Sequence, residues 1–524
     1  MNDQDISGLQ TSGPALDGVP AVRLAVLMAL AGAGAAAQAQ SWFVQPVITT
    51  MVTATNNSGF DSGGTAQNDV ILNVAPGVIV RGNGPRLKVD GEFYVAAVDY
   101  LNSTQSNTLL PRGSLRAEGT VVERLLFVDA GVSAFQTSQT PYGARPEGAS
   151  SFNTETTTQY SVRPAIRHDF DASTRLEAYA NNTWLRTSHA SASLVNPRDN
   201  AYVQDQYLSL ERQPRPLGAE LRLGRQNTNY AGASNVALTM TNARGVLSYS
   251  FLQELSIGAI GGYERDEAPY AKASDQIYGL QTKWAPDERT RLDATVEHRF
   301  FGTGWDAVFS HRTPWQAWNL RLVRQASTYA SSLASLAAGG NIGQLLDATF
   351  TTRYPDPVER ARVVNEFIAS RGLPTTLNGP IDIYTNSAQL EQRASLTYLI
   401  TGPRDTLACA YYAERISPLA FGNATDPSQL LVTQDSAQQG FSIQYNHRLT
   451  PLVSLDTLAS WSRLEGRGAS EGTNARDSIY RAGLNWQLAQ HSTGTFGLRW
   501  RQHHSTVTPD ADETALYVGL DHRF

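Results

Sequence analysis

The chain reads as an all-β protein, a transmembrane antiparallel up-and-down barrel of about 22 strands. Three observations predict it. An export signal opens the sequence. Apolar and polar residues alternate through most of the remaining chain. The connections between the alternating segments are short and long in turn.

The signal lies within residues 1–39. Leu24 to Ala33 form a short apolar core behind Arg23, and Ala37-Gln38-Ala39 offers an A-x-A cleavage site. The barrel then occupies 40–524. Asp3, Asp5 and Asp17 precede Arg23, which is unusual for a signal and points to a start further on, at Val19 or Val22. N-terminal sequencing of an unprocessed precursor checks that expectation; a precursor beginning at Met1 overturns it.

Composition narrows the class. A soluble chain of 524 residues would divide into several domains, whereas one closed sheet can absorb that length. Mean hydropathy is -0.31, and no run reaches the roughly 18 apolar residues of a spanning helix. The net charge of -6 and the lack of a basic block exclude a nucleic-acid partner. The lone Cys409 can form no internal disulfide and reads as a small apolar strand residue.

From Trp42 onward the pattern has a period of two. Leu87, Val89, Gly91, Phe93, Val95 and Ala97 alternate with Arg86, Lys88, Asp90, Glu92 and Tyr94. Leu292, Ala294, Val296, His298 and Phe300 alternate with Arg291, Asp293, Thr295, Glu297 and Arg299. Phe496, Leu498 and Trp500 alternate with Gly497, Arg499 and Arg501. Soluble sandwiches also alternate, so segment length decides: these runs exceed the usual strand of about 5–6 residues. Trp42, Tyr100, Trp284, Phe300, Trp305 and Trp500 fall at segment ends, where a barrel places its interfacial girdles.

Tight turns such as Gly82-Asn83-Gly84-Pro85, Glu123-Arg124, Asp169-Phe170-Asp171 and Thr450-Pro451 alternate with long polar connections. The long ones cover 55–68, 101–113, 137–155, 187–200, 226–239, 264–274, 329–383, 417–436, 465–476 and 503–512. Gly302-Thr303-Gly304 alone is tight where a long loop is due. With tight turns in the periplasm, both termini fall on that side and the count is about 22, within a range of roughly 18 to 24. The last strand has Leu516, Val518, Leu520, His522 and Phe524 on one face. Leu516, Val518, Leu520 and Phe524 resemble the terminal signal that the barrel-assembly machinery recognises, with His522 as its one departure.

One stretch does not alternate. Residues 330–380 read as a helical insertion on the outer side. Asp356-Pro357 opens a helix, Val358, Ala361, Val364, Phe367 and Ile368 keep helical spacing, and Gly372 and Pro374 end it. Ser331 to Leu346 adds one or two short helices broken at Gly339-Gly340. Such an insertion either packs on neighbouring loops or folds into the lumen as a gate, with Asp356, Pro357 and Phe367 as its marker residues.

The candidate lumen residues are Arg86, Lys88, Arg222, Arg291, Arg299, Arg393, Arg481, Arg499 and Arg501, joined by Asp90, Glu92, Glu220, Asp293, Glu297 and Glu391. An arginine ladder suits anionic sugars; pairing across neighbouring strands is the plainer reading. No catalytic residue, cofactor or metal is implied. His503-His504 lacks metal-ligand spacing, and His298 and His522 on the outer face have no serine evidently beside them in sequence. The expected partners are outer-membrane lipids and the assembly machinery, and the closed ring is expected to be monomeric.

The opening strand Gln45-Pro46-Val47-Ile48-Thr49, the Val74-Ala75-Pro76-Gly77 segment, Gly84-Pro85-Arg86-Leu87 and Tyr354-Pro-Asp-Pro-Val-Glu-Arg together resemble the outer-membrane barrels associated with PEP-CTERM/exosortase systems. The resemblance runs over nearly the whole mature chain. It implies an outer-membrane channel or accessory in exopolysaccharide export and surface sorting, with exopolysaccharide and its export proteins as partners and no covalent chemistry. Two alternatives stand beside it: a non-conducting scaffold that holds polysaccharide or sorted proteins, and a lipid-facing hydrolase.

Overall fold

The computed structural model describes residues 41–61, 64–145, 153–188, 200–231, 237–268, 271–336, 341–351, 353–355, 388–419 and 435–524, with 360, 363, 364, 367, 379 and 380. The signal at 1–39 lies outside them, as do Asp356 and Pro357.

All 22 strands belong to one sheet. They are β1 (Ser41–Thr55), β2 (Asp69–Asn83), β3 (Leu87–Tyr100), β4 (Thr108–Val122), β5 (Leu126–Ser138), β6 (Thr154–Asp169), β7 (Thr174–Ser188) and β8 (Asn200–Arg212). Then come β9 (Leu217–Ala231), β10 (Ala237–Leu252), β11 (Leu255–Ala268), β12 (Ala271–Asp287), β13 (Thr290–Arg299), β14 (Gly302–Arg312) and β15 (Gln316–Thr328). After the insertion follow β16 (Ala388–Thr401), β17 (Asp405–Pro418), β18 (Asp435–Arg448), β19 (Val453–Arg467), β20 (Asn474–Ala489), β21 (Ser492–Ser505) and β22 (Ala511–Arg523). Each strand pairs antiparallel with its sequence neighbours, and β1 pairs with β22 from Val47↔Arg523 to Thr55↔Ala515. The ring therefore has no free edge, so its backbone groups are satisfied without water.

Short turns gather at one rim with the start of β1 and the end of β22 (the turn end). The longer connections gather at the other (the loop end). The shortest strand, β13, has 10 residues, about 33 Å of extended chain. At the usual barrel tilt of about 45° it still covers roughly 23 Å, close to the height of an apolar band. The β13–β14 connection is tight at the loop end, but the turn is Phe300-Phe301; Gly302-Thr303-Gly304, where the sequence places it, already belongs to β14. The connection expected over 264–274 is mostly strand, because β11 runs to Ala268 and β12 starts at Ala271. Near that rim both faces of the ladder are polar, so the pairing continues after the alternation has gone.

Face assignment follows from contacts that skip strands. Arg222 of β9 reaches Gln281 of β12, Arg244 of β10 reaches Glu297 of β13, and Lys283 of β12 reaches Glu211 of β8. Side chains three or four strands apart converge only on the concave side, so these residues face inward. Their alternates Leu221, Leu223, Leu247, Leu280 and Val296 are exposed on the convex side, which forms the apolar belt. Rings pair along that belt: Tyr480 with Trp500 at 5.3 Å, Phe441 with Trp461 at 5.9 Å and Trp318 with Tyr398 at 4.2 Å.

Two short helices interrupt the sheet, α1 (Tyr329–Leu336) and α2 (Asn341–Phe350), on either side of the Gly339-Gly340 break that the sequence shows. Residues 360, 363, 364 and 367 are also helical, as their spacing predicts.

Candidate functional site: the plugged lumen

A ring of this many strands encloses a wide lumen unless something fills it. Here the insertion does, and it does so from within. Helix α1 opens on a reciprocal cap: the Ser331 amide donates to Thr328 Oγ1 at 3.1 Å and the Thr328 amide to Ser331 Oγ at 3.0 Å. That cap turns the chain inward from the end of β15. Tyr329, Ala330 and Leu333 are then buried against Leu185, Ala201, Val203, Tyr230 and Leu238 on β7 to β10. The Ala330 amide donates to Tyr230 Oη at 3.2 Å, and Gln159 Nε2 of β6 donates to the Ala334 carbonyl at 3.3 Å. Strand β15 and these partners lie on different sides of the ring, so α1 spans a chord of the loop end.

Helix α2 sits near the other rim. Leu345, Leu346 and Phe350 are buried against Ala317 of β15, Leu399 of β16, and Ala408 and Ala410 of β17. Ala317, Leu399 and Ala408 are all close to short turns, and the Arg353 guanidinium lies over the Trp315 ring in one of them, 5.3 Å from its centroid. Phe367 packs edge-on to Phe350 at 5.3 Å. The insertion thus begins at the loop end, but its helices run down inside the barrel.

The plug covers one side of the wall. On the inner face of β17 and β18, Thr406, Ala408, Ser442, Gln444 and Asn446 are all buried. Across the lumen, Lys88, Asp90 and Glu92 of β3 and Arg116 and Glu118 of β4 are exposed on the inner face toward the turn end. Higher on these strands and on β2, Ile71, Ala75, Val98, Tyr100 and Leu110 form a buried apolar cluster. The inner wall of β2–β4 is thus a mixed-charge vestibule at the turn end, closed above.

A second closure comes from the described part of the β5–β6 connection, residues 139–145. Arg145 lies far from its own strands. Its guanidinium donates to Tyr412 Oη of β17 at 2.6 Å and to the Gly379 carbonyl of the insertion at 2.7 Å. Its amide donates to Asp477 of β20 at 3.4 Å, and its carbonyl accepts from Arg501 of β21 at 2.6 Å. Arg501 lies over the ring of Phe60 in the β1–β2 connection at 4.3 Å. His503 contacts Asp477 at 3.0 Å and Thr508 at 2.9 Å, and Thr508 donates to the Tyr142 carbonyl at 3.0 Å. Three connections and the plug therefore meet around Arg145. The sequence marks 137–155 only as a long polar loop. A single arginine whose partners are hundreds of residues away carries no local signal.

The nine basic residues singled out from the sequence lie on the inner face or at the turn-end rim, mostly in ion pairs. Arg222 chelates Glu220 at 2.5 Å. Arg299 holds Glu264 at 2.6 Å and Glu297 at 3.1 Å, and Arg244 holds Glu297 from the other side. Arg393 bridges Glu391 and Glu414 at 3.1 and 2.7 Å. Arg499 and Arg501 share Glu513 at 2.7 and 3.6 Å, with Thr55 as a third donor at 2.8 Å. Arg481 interacts with Asp456. Arg291 pairs with Asp293 at 2.5 Å and Arg86 with Glu123 at 3.7 Å, both exposed near the turn end. Lys88 is exposed in the vestibule. Buried charges need such partners, since an isolated one is strongly penalised. Most of the ladder is thus committed to the wall; Arg86, Lys88 and Arg291 remain accessible.

On the outer wall Leu516, Val518, Leu520 and Phe524 are exposed, and the Phe524 amide donates to the Pro46 carbonyl at 3.0 Å, tying the chain end to β1. One expectation needs correction: His522 does have a serine beside it, since Ser492 Oγ is 2.9 Å from its Nδ1. The two are cross-strand partners, which the sequence separation of 30 concealed. Thr290 and His311 repeat the geometry at the same rim, also at 2.9 Å. Among the described residues no carboxylate hydrogen-bonds to His522, so the pair lacks the orienting third member of a nucleophilic triad. The repetition marks an interfacial hydrogen-bond motif.

A closed ring with a polar inner wall and an apolar outer belt defines the class as an outer-membrane β-barrel. No family model matches the chain, and no curated protein does. The solved siderophore receptor PirA from Acinetobacter baumannii is similar over 92% of this chain and 80% of its own, at 9% identity and TM-score 0.43. OccK3 (OpdO) from Pseudomonas aeruginosa is similar over 92% and 96%, at 11% identity and TM-score 0.33. The outer membrane protein opdK from Pseudomonas aeruginosa is similar over 92% and 99%, at 10% identity and TM-score 0.35.

Proposed function

We propose that the protein is a gated outer-membrane channel for exopolysaccharide export, passive and without covalent chemistry. The observation that carries the proposal is the plug. An insertion that starts at the outer rim and buries Leu346 against the inner wall near the opposite rim occupies the path a solute would take. The plug packs on one side, and the mixed-charge vestibule lies on the other. A movable element beside a wet wall is what gating of a pore requires.

A polyanionic sugar as cargo is supported by the accessible cations Arg86, Lys88, Arg116 and Arg291, and by an inward-facing shelf on β6 to β8. There Tyr179 stacks on Tyr207 at 5.1 Å, and the Arg163 guanidinium covers the ring of Tyr179 at 4.0 Å. Flat rings edged by guanidinium and carboxylate groups suit sugar rings. The family resemblance of Gln45–Thr49 and Gly84–Leu87 points the same way.

Planar-bilayer recording tests this. Wild-type barrels are expected to be closed with rare openings, and barrels lacking 330–380 to conduct steadily. Alginate hexasaccharide added on the turn side should then block the current, and Tyr207→Ala should weaken the block. A deletion barrel that folds yet does not conduct overturns the channel reading. It would favour the scaffold, to which the loop-end closure around Arg145 is also suited.

A further inference from the structure

We infer that the outer wall of β14 to β20 binds a phosphorylated lipid of the surrounding leaflet. The inference is independent of what crosses the lumen. It rests on three rows of side chains that the register lines up on the convex face. The lowest row is apolar: Leu320, Leu396, Tyr411, Phe441 and Trp461. The next, toward the loop end, runs Leu322, Ala394, Ala413, Gln439, Arg463 and Arg476. The third runs Arg324, Gln392, Arg415, Ala437, Glu465 and Asn474. On β19 the wall changes from Trp461 to Arg463 within one row, and on β15 and β17 Arg324 and Arg415 follow one row later. That step is where the acyl region of a leaflet gives way to its headgroups.

The same rows enclose a groove of about 650 Å³. Its floor is Ala394, Ala413 and Ala437, one wall is Trp305 and Leu322, and the other carries Arg463, Arg415 and Arg467 in successive rows toward the loop end. Small floor residues leave room for a chain lying along the wall, and the aromatic side gives it an apolar flank. The cations are only partly matched. Arg415 meets Asp435 at 3.4 Å and Arg463 contacts Glu465. Among the described residues Arg467 and Arg476 have no ion-pair partner. Arg463 and Arg476 also stand directly opposite each other across β19 and β20. Like charges so placed repel unless an anion lies between them. A phosphate supplies that anion, with several oxygens for forked guanidinium donors. A diphosphorylated glucosamine lipid, with acyl chains below and phosphates above, matches both halves of the groove.

Native mass spectrometry of the detergent-purified barrel, titrated with diphosphoryl lipid A, tests this. The triple variant Arg415→Gln/Arg463→Gln/Arg467→Gln should bind about tenfold more weakly than wild type. Arg225→Gln/Arg265→Gln, on the outer wall of β9 and β11, should bind as wild type does. Dephosphorylated lipid A should bind wild type as weakly as diphosphoryl lipid A binds the triple variant, and inorganic phosphate should not displace the lipid. Heat-modifiable migration reports that each variant is folded; should the triple variant fail to fold, Ala413→Trp, which fills the floor, decides. The inference is overturned if lipid A binding to the deciding variant stays within about twofold of wild type. Equal loss in the β9/β11 control also overturns it, as does displacement by inorganic phosphate, which marks a free-anion site.

Discussion

Replacing Arg145 with alanine should release the closure at the loop end. The substitution removes the hydrogen bonds to Tyr412 Oη and the Gly379 carbonyl but leaves the backbone contacts with Asp477 and Arg501. A hydrogen bond from a charged donor contributes about 1.5 kcal/mol or more in a partly buried setting, so the pair contributes about 3 kcal/mol. Because every 1.4 kcal/mol is tenfold, the ratio of open to closed barrels should rise about 100-fold. Tyr412→Phe removes one of the two bonds and should raise it about tenfold. Arg145→Lys keeps the charge without the fork and should fall between. Single-channel recording reads these ratios as open probability. The two positions share one contact, so Arg145→Ala/Tyr412→Phe should open no more than Arg145→Ala alone. Open probability unchanged in Arg145→Ala, with heat-modifiable migration intact, would refute the latch. Additivity in the double variant would refute the shared contact.

Leu346→Asp should detach α2 from Ala317 and Leu399 and raise conductance while leaving the unfolding temperature of the barrel in place; a falling temperature with no current would mean that the helix is structural. Glu264→Gln leaves Arg299 with Glu297 as its remaining ion-pair contact and should destabilise the barrel by about 3 kcal/mol, visible as a lower temperature of gel-shift unfolding. Asp171, in the β6–β7 turn, is held down to about 2 by the Ser173 hydroxyl and amide and by Thr174. Its depressed value contributes stability above the ordinary carboxylate range that is lost as pH falls through about 2. Asp171→Asn should therefore destabilise at pH 7 and make no difference in strong acid, as chemical unfolding at the two pH values would show. Deleting Phe524, which is 69% exposed, should reduce the folded barrel recovered from outer membranes while barely changing the stability of refolded protein.

Strand number and turn parity were legible in the sequence because lipid and water impose opposite demands on alternate residues through the height of the membrane. Where both faces are wet, as around Arg265 and Lys272, the demand lapses and a continued ladder reads as a loop. Tyr100 and Leu110 show the converse case: inner-face positions that are apolar because protein covers them. The insertion's helices were visible from spacing and from Gly339-Gly340, but not their destination. An apolar stripe such as Leu345, Leu346 and Phe350 looks the same whether it meets a neighbouring loop or the alanines inside a wall. The partners of Arg145 and Ser492 are set by the register of the closed ring, which no short window contains.

The depth of the plug bears on how the molecule is made. Both ends of the insertion join the ring at the loop end, yet α2 lies beside Ala317 and Ala408 near the other rim. The chain emerges with β15 before β16, so this segment is synthesised well ahead of β22. The seam from Val47↔Arg523 to Thr55↔Ala515 can form only when the last strand arrives. A segment threaded afterwards would have to travel most of the barrel's height through a finished ring. Entry before the β1–β22 seam closes would spare the segment that passage, leaving the ring to seal around contents already in place.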